Sequence, residues 1–116
     1  MFRDEATLID IISSARLVKL FVAGLTKEQF LSDIKTQSAV LYQLLVMGEA
    51  VKRLSREFRS LHPEVPWQLI AGMRDHLIHG YDVIDWEEVW KTATRDVPDL
   101  LTQIEHLYPE DSGQSL

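Results

Sequence analysis

Residues 35–55, KTQSAVLYQLLVMGEAVKRLS, form the centre of the longest helix that the sequence predicts. Apolar residues recur there at the three- and four-residue spacings of an amphipathic helix, which we expect to extend from about Asp33 to Arg59. The apolar positions are Val40, Leu41, Leu44, Leu45, Met47, Val51, Leu54 and Phe58. This stripe is too wide for one neighbouring helix to cover, so the long helix should pack against two partners.

Two helical segments are predicted before the long helix. The first spans about residues 4–22, where apolar residues again alternate at spacings of three and four, and Gly24 ends it. Thr26 and Gln29 then match a capping box, in which each side chain bonds the backbone N–H of the other residue. A short helical turn should therefore lie between the first helix and the long one.

Two prolines in the segment HPEVPW, residues 62–67, should end the long helix and begin the next one. That next helix is predicted from about Pro66 to Ile78. Gly80 is placed to stop it, because glycine accepts the left-handed conformation that is common just past a helix end.

A second cap, at Asp85 and Glu88, opens the last helical run. Its apolar residues alternate at spacings of four and three from Trp86 to Leu107, a pattern typical of a helix in the seam of a bundle. Pro98 should kink this run or split it in two.

Length and composition favour a single all-α domain. The chain has 116 residues, of which 46% are hydrophobic, enough for one core and too few for two. No strand pattern, internal repeat or linker separates the helical segments. We therefore expect a four- to five-helix up-and-down bundle in residues 1–109, followed by a polar tail in residues 110–116.

Charge and residue usage exclude several classes of site. The chain has no cysteine and its four histidines never form an HExxH pattern, so we expect no structural metal and no cofactor. The longest nearly apolar run is far shorter than the roughly 20 residues of a membrane helix, and a soluble cytoplasmic protein is expected. A net charge of −6 disfavours nucleic-acid binding through a broad cationic face. Any action on nucleic acid should come from a local site.

A polar cluster interrupts the apolar pattern in the segment MRDHLIHGYD, residues 73–82. The spacing places Arg74 on the inward stripe of its helix, where an unpaired charge would be costly. Its partner could be Glu49 on the long helix, or the phosphate of a ligand. Gly48, beside Glu49, is unfavourable in the middle of a helix unless another backbone approaches closely there.

Asp75 precedes His79 by four residues, so on a continuous helix its carboxylate could hold the imidazole. Arg74 and His79 would not share a face of that helix, because His79 lies five positions after Arg74. Either the helix unwinds before Gly80, or the arginine of one subunit meets the histidine of another. The second possibility, with the wide stripe on the long helix, predicts a two-fold homodimer through the long helix and this segment. His76 is expected at the surface.

The segment Arg74-Asp75-His76-Leu77-Ile78-His79-Gly80-Tyr81 resembles the Arg-x4-His-x-Tyr motif of HEPN domains, and specifically of their HepT-like branch. The resemblance extends along nearly the whole chain, through KTQSAVLYQLLVMGEAVKRLS, HPEVPW and IAGMRDHLIHGYDVIDWEEVW in that order. It implies an α-helical homodimer whose motifs meet at the subunit interface in a metal-independent ribonuclease site. It also implies the toxin of a toxin–antitoxin pair, partnered by a minimal nucleotidyltransferase that transfers AMP to the motif tyrosine.

Carried over to this chain, the resemblance makes Arg74 and His79 the nuclease residues and Tyr81 the AMP acceptor. In such a site the 2′-hydroxyl of RNA attacks the adjacent phosphate, histidine moves protons, and arginine stabilises the charge that develops. Asp75 would tune His79, and Glu49 would support Arg74. The structural alternative for Tyr81 is a ring packed under the turn.

Other residues have both a structural and a functional interpretation. Lys52, Arg53, Arg56 and Arg59 could guide an RNA backbone, although such a run is usually the solvated face of a helix. The tryptophans at positions 67, 86 and 90 lie on apolar stripes and are expected in the core or an interface. The alternative function is a non-catalytic helical partner that docks a nucleotidyltransferase and helps it bind a nucleotide or another substrate.

Overall fold

The computed structural model describes residues 2–80 and 82–107 of the chain. Two long helices, α1 (Phe2–Val22) and α3 (Ile34–Arg53), are joined by the short helix α2 (Lys27–Leu31). The remaining elements, in chain order, are α4 (Arg56–Leu61), α5 (Trp67–Ala71), α6 (Met73–Leu77), β1 (Ile78–His79), β2 (Val83–Ile84), α7 (Trp86–Lys91), a π-helical turn (Thr92–Asp96) and α8 (Val97–Glu105). This architecture confirms the all-α fold.

Helix α3 lies at the centre of the packing. It contacts α1 and also α5 and α6, while α1 contacts α8, so the predicted two partners of the long helix are confirmed. The buried residues of its apolar stripe are Val40, Leu44, Met47, Val51 and Leu54. Because one protomer already covers these positions, the width of the stripe gives no support for a second subunit there.

The predicted long helix is in fact two helices, and a contact from α1 separates them. Helix α3 ends at Arg53, and Ser55 caps α4 by accepting the N–H of Phe58 at 3.0 Å. The buried carboxylate of Asp4 accepts the Ser55 N–H at 2.8 Å and the Ser55 hydroxyl at 2.7 Å. These two bonds hold Ser55 in an extended conformation, so the helix cannot continue through it.

Both predicted helix caps are present. The Thr26 side chain accepts a hydrogen bond from the backbone N–H of Gln29 at 3.1 Å, and the Gln29 side chain accepts one from the backbone N–H of Thr26 at 2.9 Å. These two bonds complete the capping box of α2. Asp85 accepts the N–H of Glu88 at 3.0 Å and caps α7. The last helical run is split as expected, since the π-helical turn ends just before Pro98 in the first turn of α8.

A short hairpin after α6 was not predicted. Strands β1 and β2 pair antiparallel, with Ile78 opposite Ile84 and His79 opposite Val83. The helix expected from Pro66 to Ile78 is divided into α5 and α6 at Gly72 and ends at Leu77. Two residues per strand are too few to produce a visible period of two in the sequence. Gly80 has φ +74°, and the left-handed residue expected there lies in the hairpin turn.

Two of the sequence predictions concern residues outside the described part of the chain. These are Tyr81, the predicted AMP acceptor, and the region around the predicted domain end at residue 109 with the tail 110–116. Within residues 2–80 and 82–107, no helix is both long enough and apolar enough to cross a membrane. The same residues contain no group of three or more metal-ligating side chains placed to hold an ion.

Candidate active site

The segment that carries the motif is packed closely onto α3 at Gly48. A Cβ atom built on Gly48 would lie 2.9 Å from the carbonyl oxygen of Ile70 and 3.3 Å from the Cβ of Met73. The close approach that the mid-helix glycine predicted is therefore confirmed. Met73 and Leu77 are buried and anchor α6 in the core, which leaves the other faces of this short helix for polar residues.

Arg74 faces solvent rather than the core. Its side chain is 53% exposed, and its Nη1 lies 3.8 Å from the Oδ1 of Asp75. The buried positions of α5 and α6 are Trp67, Ile70, Met73 and Leu77. The prediction that Arg74 lies on the inward stripe was wrong: α6 begins after the break at Gly72, and its inward positions are Met73 and Leu77.

Glu49 is not the partner of Arg74. Its Oε2 lies 3.0 Å from the Nζ of Lys52, one turn further along α3, and both of these side chains are more than half exposed. The interpretation of Arg74 and Glu49 as a buried ion pair was therefore wrong. The guanidinium group of Arg74 remains open to a ligand at the surface.

His79 leaves the helix and lies in β1. Its side chain is 61% exposed, and its Nε2 lies 3.8 Å from the Oδ2 of Asp85. Asp75 is almost fully exposed beside Arg74. The prediction that Asp75 and His79 share a helical face was wrong, because α6 ends before His79 and the hairpin turns His79 toward Asp85.

A second histidine–carboxylate pair lies next to the first. The Nε2 of His76 is 2.7 Å from the Oε2 of Glu88, and the Glu88 side chain is only 24% exposed. His76 is at the surface, as expected. Glu88 does not complete a capping box with Asp85, because the Asp85 N–H donates to the carbonyl oxygen of Leu77 at 2.9 Å. Residue spacing did not indicate either histidine–carboxylate pair, since both depend on the hairpin.

A groove of about 580 Å³ lies beside α6. Its lining includes Met73 and His76 on α6, together with residues of α7, the π-helical turn and α8. Neither Arg74 nor His79 lines it. In a single protomer these two residues therefore lie on open surface rather than in an enclosed cleft.

The predicted basic run is divided between α3 and α4 by the break at Ser55. Lys52 is paired with Glu49, as noted above, and the Nη2 of Arg53 lies 3.9 Å from the Oδ2 of Asp10. Arg56 is exposed, whereas Arg59 is partly buried. The four cations thus do not form one uninterrupted basic face.

All three tryptophans lie in the core or pack against it, as expected. Trp67 is buried and its Nε1 donates to the carbonyl oxygen of His62 at 2.9 Å. Trp86 and Trp90 are partly buried and pack against the buried ring of Phe30, at centroid distances of 6.5 and 5.2 Å. These contacts assign the rings a structural role.

Comparison with known proteins agrees with the motif. A family model described as ribonuclease HepT-like matches residues 11–107. A Thermococcus cleftensis protein named "Probable ribonuclease HepT" is 43% identical over 100 residues, which cover 86% of this chain and 91% of that protein. A Methanocaldococcus jannaschii protein named "Putative RNase MJ0127" is 38% identical over 110 residues, which cover 95% of this chain and 91% of that protein. No solved structure matches the chain significantly. The motif resemblance is thereby confirmed, and the chain belongs to the HepT-like ribonuclease family.

Proposed function

We propose that this protein is a metal-independent endoribonuclease in which Arg74 and His79 are the catalytic residues. Membership of the HepT-like family supports ribonuclease activity. One observation supports the choice of residues. The side chains of Arg74 and His79 are 53% and 61% exposed, respectively, although the buried residues Met73 and Leu77 anchor helix α6 in the core. A rigid backbone with accessible polar groups is suited to bind and orient a substrate.

The proposed reaction uses only proton transfer and charge stabilisation. The 2′-hydroxyl of RNA attacks the adjacent phosphorus, the bond to the 5′-oxygen breaks, and the products are a 2′,3′-cyclic phosphate and a 5′-hydroxyl. One histidine takes the 2′-hydroxyl proton and a second gives a proton to the leaving oxygen, a contribution typically of about 10²- to 10⁴-fold. The Arg74 guanidinium stabilises the negative charge that develops on the phosphate oxygens.

The proposed site is composite, with one motif from each of two protomers. Within one protomer Arg74 and His79 lie near different carboxylates, and neither lines the groove beside α6. A two-fold partner would enclose the site and supply the second histidine that the reaction needs. One exposed apolar side chain fits an interface in this region: Val83, whose backbone is paired with that of His79 across the hairpin.

The proposed regulation follows from the motif tyrosine. In the toxin–antitoxin scheme, a nucleotidyltransferase partner transfers AMP from ATP to the hydroxyl oxygen of Tyr81, two residues after His79, with release of pyrophosphate and a proton. The added phosphate would compete with RNA for Arg74, and the nucleoside would block access to the site. Among the predicted RNA contacts, Lys52 and Arg53 would have to leave Glu49 and Asp10, respectively, whereas Arg56 is exposed.

Incubation of the purified protein with RNA in EDTA tests this function. Wild-type protein should produce 2′,3′-cyclic phosphate ends, while the Arg74→Ala and His79→Ala variants should lose most cleavage. RNA that stays intact at high wild-type protein concentration would contradict the proposal. That result would favour the non-catalytic partner of a nucleotidyltransferase instead.

Mixing wild-type protein with the His79→Ala variant tests the composite site. If the reaction needs one His79 from each protomer, a heterodimer with a single His79 should be inactive. After subunit exchange, cleavage should therefore fall below the fraction of wild-type subunits in the mixture. Cleavage in proportion to that fraction, with exchange verified by native mass spectrometry, would show that each site is built from one chain.

A further inference from the structure

We infer that Asp85 is a positioning residue for His79: its carboxylate pairs with Nε2 of the imidazole and leaves Nδ1 toward the RNA. The inference rests on the proposed catalytic role of His79 and adds to it the group that orients the ring. Neither the motif nor the sequence spacing pointed to Asp85, which was expected only to cap a helix.

The two oxygens of the Asp85 carboxylate have separate partners. Oδ1 accepts the backbone N–H of Glu88 at 3.0 Å, and Oδ2 lies 3.8 Å from the Nε2 of His79. The cap bond fixes the orientation of the carboxylate and directs the second oxygen at the imidazole. A distance of 3.8 Å is longer than a hydrogen bond, but catalytic contacts of this kind commonly tighten when substrate binds.

The backbones of the two residues belong to one hydrogen-bonded unit. The N–H of Asp85 donates to the carbonyl oxygen of Leu77 at 2.9 Å, and Ile78 pairs with Ile84 across the hairpin. Asp85 is therefore tied to the end of α6, directly beside the strand that carries His79. The two side chains therefore extend from neighbouring backbone segments that are hydrogen-bonded to each other.

The pair formed by His76 and Glu88 connects the same two segments. His76 lies three residues before His79, and Glu88 lies three residues after Asp85. Their 2.7 Å contact holds the first turn of α7 against α6. With the cap bond and the backbone bond, this gives three contacts that fix where the Asp85 carboxylate lies.

A carboxylate at Nε2 has a defined chemical consequence. It favours the neutral tautomer that carries its proton on Nε2, so that Nδ1 is the free base, and it stabilises the imidazolium that forms during proton transfer. Without it the exposed ring can rotate and exchange tautomers. Misplacement of a catalytic group by about 1 Å can cost about 10²-fold in rate, so a loss of that size is expected.

Asp85→Asn tests the inference, because asparagine caps helices as well as aspartate does and the fold should be retained. We expect kcat for RNA cleavage to fall about 10²-fold, with KM and Tm close to wild type. When the His79 ring is neutral, its ¹⁵N spectrum should show mainly the Nε2-protonated tautomer in wild type and a mixture of the two tautomers in Asp85→Asn. The matched control is Asp33→Asn, the same change at the cap of α3, where the carboxylate accepts the Thr36 N–H at 3.1 Å. It should alter neither kcat nor the His79 spectrum.

The possible failures are distinguishable. Two results would overturn the inference. One is an Asp85→Asn protein with wild-type kcat; the other is an Asp85→Asn protein that loses activity with a lowered Tm and an unchanged His79 spectrum. A wild-type protein that cuts no RNA contradicts the proposed function instead. The ring spectrum then decides by itself whether Asp85 orients His79.

Discussion

The carbonyl oxygen of Ile70 lies only 2.9 Å from the position that the Cβ of any other residue would take at Gly48. Gly48 is in α3, and Ile70 is in the helix directly before the motif helix α6. The separation between the central helix and the segment that carries Arg74 and His79 is therefore set by backbone contact. Because the backbone makes this close contact with α3, the contact does not require apolar side chains, and the segment can carry polar ones.

Gly48→Ala should destabilise the protein and lower RNA cleavage. Forcing an extra carbon into a packed site typically costs about 1–3 kcal/mol, which exceeds the roughly 1 kcal/mol that alanine gains over glycine in a helix. Thermal unfolding and a cleavage assay on the same protein measure both effects. Gly72→Ala is the matched control, since its Cβ would meet only ordinary contacts, at 3.4 Å from the Gln68 carbonyl oxygen. A Gly48→Ala protein more stable than wild type would show that α5 can move away freely.

Arg74→Ala should remove RNA cleavage without lowering stability. The side chain is 53% exposed and close only to the exposed Asp75, so a change in unfolding free energy within about 0.5 kcal/mol is expected. Breaking a buried ion pair would instead cost about 3–5 kcal/mol. Arg74→Lys keeps the charge but loses the planar fork that binds phosphate, and should retain only part of the activity. An Arg74→Ala protein that cuts RNA at the wild-type rate would remove Arg74 from the mechanism.

Asp4→Ala should destabilise the protein by separating α1 from the start of α4. Burial raises the pKa of the Asp4 carboxyl, but hydrogen bonds from the Ser55 hydroxyl and N–H lower it, and the net pKa is below its ordinary value. Loss of these charge-assisted bonds should cost about 1–3 kcal/mol at neutral pH. Asp75→Ala, at an exposed carboxylate, serves as the control and should leave Tm nearly unchanged.

The Asp4 effect should also depend on pH, in a direction that the lowered pKa fixes. A carboxyl whose pKa is lower in the folded state stabilises the fold above its unfolded pKa of about 3.9, and this contribution disappears as the pH falls through the folded pKa. The Tm difference between wild type and Asp4→Ala should therefore be constant from about pH 5 to 7 and shrink below about pH 4. A difference that grows on acidification would contradict the assignment.

The parts of the fold that depend on residues close to one another in the sequence could be predicted. The capping box of Thr26 and Gln29 involves residues three apart, and the close packing at Gly48 followed from the cost of glycine within a helix. The break at Ser55 could not be predicted in this way. It is produced by Asp4, which is 51 residues away in the sequence, and the local apolar pattern continues through the break.

The site was predictable in composition but not in geometry. The motif identified Arg74 and His79, yet after the break at Gly72 it is Met73 that faces the core, and Arg74 faces the solvent. His79 lies in the hairpin, where its neighbouring carboxylate is that of Asp85 and not that of Asp75, the expected partner. A pattern of helical spacing contains no information about either event, because both depend on where the helix is interrupted.

AMP attached by the proposed nucleotidyltransferase partner should be found on Tyr81, a prediction that rests on the motif because Tyr81 is outside the described residues. Protein made together with that partner should carry AMP in the peptide that contains Tyr81, as measured by mass spectrometry, and should no longer cut RNA. The Tyr81→Phe variant should cut RNA and resist inactivation by the partner, because phenylalanine has no hydroxyl to accept AMP. Tyr42→Phe is the matched control: Tyr42 is 64% exposed but lies outside the motif, so its loss should leave inactivation unchanged. AMP on another residue, or inactivation of Tyr81→Phe at the wild-type rate, would show that Tyr81 is not the switch.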